Sequence, residues 1–222
     1  MLLQTDIREA HESPETRDAD LCDLRFRNLL PREEWGKLPP AIRRRFSKRV
    51  ADGNTVVYAG EVIETHLSHV GWAIAQLSRL VGSPLPISRD VHVPAVVSVT
   101  EDMRNGGQIW TRVYARRRDF PQVIHSSKRF GGKTGLEEHV SRGVGMALTV
   151  HQEEGALVFR SADYFFRAGP ISIVLPWWLT PGALAVTHRE EGEGRFSFLL
   201  VVIHPLFGCI IRQTALFREV TP

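Results

Sequence analysis

The chain has 222 residues, 43% apolar and 24% charged, a make-up that excludes disordered and collagen-like proteins and suits one large folded domain. A net charge of +3 does not by itself mark a nucleic-acid binder. The charge is uneven: residues 1–34 hold nine acids and five bases, so the remainder is basic. Residues 1–20 are polar and acidic without apolar periodicity and read as a flexible lead-in, which leaves 21–222 as a single α+β domain.

The first residues, MLLQTDIREAHE, lack a basic segment followed by an apolar stretch, so no signal peptide is expected. The longest apolar run, Phe198–Ile211, is shorter than the roughly 20 residues a spanning helix needs and contains His204 and Pro205. Cys22 and Cys209 stand far apart in no metal-binding spacing and fit thiols in a reducing compartment. These features predict a cytoplasmic protein.

LCDLRFRNLL suggests a short helix ending near Pro31, and Pro39-Pro40 open a second over AIRRRF, proline being tolerated in a first turn. TVVYAGEVIE (55–64) reads as a strand after the Asp52-Gly53-Asn54 turn. Leu67, Val70, Ile74, Leu77 and Val81 form one apolar stripe, predicting a helix over Thr65–Val81 capped by Thr65 and ended by Gly82 and Pro84. Trp72 falls nearly opposite that stripe and must pack elsewhere or line a cavity.

After Pro86 the chain reads as strands. Asn105-Gly106-Gly107 joins two of them as a hairpin turn. VGMALTVHQ, ALVFRSADYFFR, RFSFLLVVI and CIIRQTALFREV follow, with turns at Glu154-Gly155 and Glu193-Gly194. The expected fold is mainly antiparallel β: a curved meander sheet or partly closed barrel on N-terminal helices, with room for an internal apolar cavity.

Four runs, LPPAIRRRF (38–46), WTRVY (110–114), GRFSF (194–198) and HPLFGCIIR (204–212), stand in an order and spacing that resembles the bacterial domain-of-unknown-function 4166 family. The resemblance extends from about Leu24 to Val220. Members of that family occur alone or fused to a dehydrogenase-like Rossmann domain, which implies a separate reductase or dehydrogenase as a possible partner. Phe46 stands where the family often has His, and Ala215-Leu216 where it usually has Gly-Trp.

No catalytic or cofactor motif is present. His66 and His69 are three apart on the expected helix, but nothing nearby completes a zinc set, so no metal is expected. Gly131-Gly132-Lys133-Thr134 lacks the first glycine and the strand–loop–helix setting of a phosphate loop and reads as a turn. The clusters Arg43–Arg45 with Lys48 and Arg49, and Arg116–Arg118, read first as solvated surface, with an acidic protein or membrane surface, or nucleic acid, as the alternatives. Asp163, among Tyr164, Phe165 and Phe166, could act as a proton carrier if buried, as could Glu61, Glu64 or His66 in a carboxylate–histidine pair.

Alternation in the 108–116 strand puts Trp110, Arg112, Tyr114 and Arg116 on one side and Ile109, Thr111, Val113 and Ala115 on the other. The second set is the natural core face. The first reads as an exposed face of cross-strand pairs, or as a cavity wall where Arg112 receives an anionic group. The leading functional reading is a binding protein for an apolar or amphipathic small molecule, using Trp72, Trp110, Arg112, Tyr114 and Asp163 as ligand contacts. An enzyme using the same pocket, and an interaction module for a dehydrogenase-like partner, are the alternatives.

Overall fold

The computed structural model describes residues 23–48, 50, 54–141 and 143–220. Cys22, the acidic lead-in and the Asp52-Gly53 part of the expected first turn lie outside them. Arg32–Lys37 (α1) and Pro40–Phe46 (α2) come first, then the strand Val56–Leu67 (β1) and the helix His69–Ser78 (α3). Ten strands follow: Val93–Asp102 (β2), Gly107–Tyr114 (β3), Gln122–Phe130 (β4), Leu136–Ser141 (β5), Val144–Glu153 (β6), Ala156–Ala168 (β7), Ile171–Val174 (β8), Ala183–Gly192 (β9), Arg195–His204 (β10) and Gly208–Glu219 (β11).

All pairings are antiparallel, in the order β6-β5-β4-β3-β2-β1-β11-β10-β9-β7-β8. A further ladder between β6 and β7, running from Val144↔Phe166 to Glu153↔Ala156, closes the ring. The fold is therefore a closed barrel in which β8 stands outside the ring, paired only to the Phe165–Ala168 end of β7. Closure removes the sheet edges that an open meander would expose.

Tight turns make this meander possible. Glu154 and Gly155 both take positive φ (48° and 77°), as do Glu193 and Gly194 (54° and 72°), the conformation that matches a two-residue turn to strand twist. The expected turn at 131–134 joins β4 to β5.

The N-terminal segment closes one end of the barrel. Phe26, Trp35, Leu38, Ile42 and Phe46 are buried in the common core. Phe26 meets Phe46, Phe130 and Phe159 edge-on, with centroids 5.2, 4.9 and 6.2 Å apart. Arg45 follows them inward: its Nη1 donates to His188 Nε2 at 2.8 Å, and its guanidinium lies 3.9 Å over the Phe196 ring. His188 is fully buried, and burial together with Arg45 pushes its pKa well down, so the ring is neutral.

Helix α3 covers the opposite end. The expected start at Thr65 is too early: Thr65–Leu67 still pair with Ile211–Gln213 in the sheet, and Ser68 is the cap, its Oγ accepting from Gly71 N at 3.0 Å. Local periodicity did not register that cross-strand hydrogen bonds hold those residues extended. His66 consequently lies exposed on a strand opposite Arg212, while His69 opens the helix, and the two share no helical face. Gln122 ties the segment after α3 to the wall, donating to Leu85 O at 2.8 Å and accepting from Ile87 N at 3.1 Å.

The strand β3 corrects the core-face assignment. Trp110 is buried, and Arg112 and Tyr114 turn inward with it, so Ile109, Thr111 and Val113 form the outer side. The neighbours impose this: Val97 and Val99, which are buried, pair with Arg112 and Trp110, and directly opposed residues share a face. The doubly apolar run in β10 has an equally local explanation. Leu199 and Val201 stay half-buried on the outer surface beside Thr187, Thr214, Ala185 and Arg212, without a second covering layer.

Gly71 is where α3 touches the barrel. A Cβ there would lie 2.2 Å from the Ile210 backbone oxygen, which has no room to move. Gly71→Ala is therefore expected to destabilise the protein by about 1–3 kcal/mol, although helix propensity alone favours alanine by about 1 kcal/mol. Urea unfolding of the two proteins measures the sign.

Candidate ligand pocket

A pocket of about 500 Å³ occupies the upper part of the barrel beneath α3, within the size range of small-molecule sites. Its lower wall is Trp110, Phe159 and Phe198, its sides include Val97, Met146, Leu148, Val186 and Leu200, and Ile74 and Leu77 overhang it from α3. These residues are inward because each occupies every second position of its strand.

One polar cluster interrupts the apolar wall. Register sets Lys128 of β4 directly opposite Glu138 of β5, and Trp110 of β3 opposite Ser126 of β4. Lys128 Nζ donates to Glu138 Oε2 at 2.7 Å. Arg112 reaches diagonally, Nη1 to Ser126 Oγ at 3.1 Å and Nη2 to Glu138 Oε1 at 3.1 Å. Lys128 Nζ also sits 5.2 Å from the Trp110 ring and 5.6 Å from Phe159, close enough for cation–π attraction.

Two cations thus share one carboxylate. Burial raises the Glu138 pKa, but Lys128 and Arg112 outweigh it and hold the carboxyl well below its ordinary range. Burial pushes the Lys128 pKa down; Glu138 offsets this in part, and Arg112 adds to the lowering. As formal charges, the cluster sets two cations against one carboxylate.

Two phenols and an imidazole add to the polar lining, together with Ser78, Thr180 and Gln213. Burial raises the pKa of Tyr114 against the pull of Arg112. Tyr164, whose OH donates to Gly182 O at 2.9 Å, is pushed up to about 12 by burial. Both hydroxyls stay protonated at neutral pH. His204 Nδ1 accepts from Leu206 N at 3.2 Å, and the ring lines the pocket wall.

Of the five ligand-contact residues expected from sequence, Trp110, Arg112 and Tyr114 come together on the pocket wall. Trp72 does not: it is half-exposed on the outside of α3, in a separate groove with His69, Arg89 and Arg116–Arg118. Asp163 is exposed on β7, and Tyr164 beside it takes the inward position. The β-bulge between Met146 and Leu148 opposite this stretch shifts the alternation that would have turned Asp163 inward. Glu61 and His66 are also exposed, Glu61 lying 3.8 Å from His92. The expected acid–base set therefore does not converge on the pocket. No group of three or more potential His, Cys, Asp or Glu metal ligands occurs among the described residues.

Lys128, Glu138, Tyr164 and His204 were not singled out from sequence. A signal existed in QVIHSSKRF, where Gln122, Ile124, Ser126 and Lys128 alternate, but a strand with polar residues at inward positions looks like a loop.

Residues 38–217 match the family described as Domain of unknown function (DUF4166). The chain belongs to that family. No curated protein and no solved structure matches it. The four DUF4166 runs occupy the structural corners of this barrel: LPPAIRRRF forms the plug helix α2, WTRVY and GRFSF are walls, and HPLFGCIIR is the β10–β11 turn carrying His204. Phe46 packs against His188 at 5.2 Å, and Ala215 lines the pocket.

Glu138→Gln leaves two buried cations without a counter-charge and is expected to cost about 3–5 kcal/mol at neutral pH. Because the folded carboxyl titrates below its ordinary 4.5, its stabilisation is complete above that value and is lost as pH falls toward the folded one. The difference between wild type and variant, measured by urea unfolding, should be largest at neutral pH and shrink progressively below pH 4.5.

Proposed function

We propose that the barrel is a binding protein for an elongated, mainly apolar small molecule with an acidic or carbonyl end, held inside the sheet beneath α3. The observation that carries this reading is the Arg112–Glu138–Lys128 cluster on a mainly apolar wall. An anionic ligand group next to Arg112 would supply the missing negative charge, and a planar guanidinium accepts a carboxylate bidentately. The tail would lie against Trp110, Phe198, Leu148 and Leu200.

The energetics fit a reversible carrier or sensor. Burying about 300 Å² of ligand surface gives roughly 7 kcal/mol gross at about 25 cal/mol per Å². Ordering costs reduce this to about micromolar affinity.

Fatty acids, polyketide-like and isoprenoid compounds should be titrated against tryptophan fluorescence and thermal stability. Trp110 in the pocket wall makes the fluorescence a direct report. At least one class is expected to bind, and Arg112→Ala should weaken anionic members by about 10- to 100-fold more than their neutral analogues, the worth of a charge-assisted hydrogen bond. Equal weakening of both would remove Arg112 from the head-group role. Silence across the panel would overturn the pocket reading and favour the interaction module.

A further inference from the structure

We infer that the α3 end of the barrel docks onto an anionic membrane surface. Two features of that end, contributed by different segments, point to it.

The first is an apolar collar around the pocket. Leu77, Trp178 and Leu179 line the pocket and yet are 67%, 64% and 57% exposed. Trp177 beside them is exposed without lining the pocket. All four residues of β8 are exposed, among them Ile171, Ile173 and Val174. Strand alternation brings the α3 segment and the β7–β8 and β10–β11 connections out at one end, the last adding exposed Leu206 and Phe207, and the β8–β9 connection reaches the same end because its Trp178 and Leu179 line the pocket beneath α3. Several exposed apolar residues gathered at the rim of one pocket have a function more often than an isolated exposed leucine does.

The second is a basic groove next to the collar. The β3–β4 connection, at the same end, brings Arg116, Arg117 and Arg118 against Arg89, His69 and Trp72. Internal contacts hold the groove in shape: Arg117 Nη2 donates to Val91 O at 2.9 Å, Arg89 Nε to Leu67 O at 2.8 Å, and Arg116 pairs with Asp119 at 2.8 Å. Four arginines against Asp90 and Asp119 leave the groove positive. The same loop ends in Phe120, which is 91% exposed.

Arginines beside exposed tryptophan and phenylalanine are the chemistry of a membrane interface, where rings enter the head-group layer and cations meet anionic lipid. The charge selects phosphatidylserine or phosphatidylglycerol surfaces over neutral ones. Docking at this end would also set the pocket rim against the bilayer, so that an apolar ligand need not cross water. The docking itself does not require the pocket to be occupied.

Full-length protein is sedimented with phosphatidylcholine vesicles, with and without phosphatidylglycerol. Binding is expected only with the anionic lipid, and it should weaken steeply as salt rises from about 0.1 to 1 M. Arg117→Gln with Arg118→Gln should lower partitioning by about fivefold per arginine. Phe120→Ser with Trp177→Ser should lower it at least about tenfold. Neither Phe120 nor Trp177 lines the pocket, so that variant keeps its solution affinity for any ligand, which separates this test from the pocket reading; an unchanged melting temperature confirms that it is folded. No association with anionic vesicles, or association indifferent to Phe120 and Trp177, overturns the inference. So does a dimer in sedimentation velocity that the same two substitutions dissociate, which would make the collar an interface between copies.

Discussion

The β6–β7 ladder is the constraint on which the rest of the molecule depends. Without it the sheet would be an open meander with free edges at β6 and β8, and its two faces would be sorted only by what lay against each. With it, every strand of the ring acquires an inside and an outside, and alternation assigns each residue to one of them. About eight strands make an interior that side chains can fill; this ring has more, so it is wider than its own side chains need. The chain closes one end with a plug of aromatic rings from its N-terminal helices and leaves room beneath α3 at the other.

That division has an electrostatic counterpart at each level. Near the plug, Arg45 is balanced by neutral His188 and by Glu190, 3.3 Å away. On the pocket wall the balance is incomplete, since Arg112 and Lys128 both turn to Glu138. Buried charges are costly unless paired, so a barrel that keeps an extra cation facing a void forgoes stability that an apolar residue would supply. The outer wall shows no such economy: Arg160–Glu153 and Arg195–Glu193 are exposed pairs of small energetic weight.

Much of the fold is legible in the sequence because its signals are local. Glu154-Gly155, Glu193-Gly194 and Asn105-Gly106 sit between apolar runs and need no partner to favour a turn. Pro40 starts α2 and β-branched runs make strands for similarly local reasons. The strands β4, β5 and β9 lack a plain apolar signal because their inward positions hold Gln122, Ser126, Lys128, Glu138 and His188, and β8 has only four residues, all exposed. Those residues are satisfied inward by partners on other elements: Arg112 for Ser126 and Glu138, Glu138 for Lys128, Leu85 for Gln122 and Arg45 for His188.

The sequence by itself determined that this chain is an antiparallel β protein with short N-terminal helices, that it belongs with the DUF4166 runs it carries, and that Trp110, Arg112 and Tyr114 share one face of one strand. Alternation has period two whatever the surroundings, so that grouping needs only the strand. Which face turns inward was decided by the tertiary structure alone. Val97 and Val99 on the neighbouring strand, pairing with Arg112 and Trp110, force the aromatic and charged side into the barrel, and the β3–β4–β5 register brings Lys128 and Glu138 to meet it. Sidedness is a property of the register between strands, and register is a long-range choice that no single strand contains.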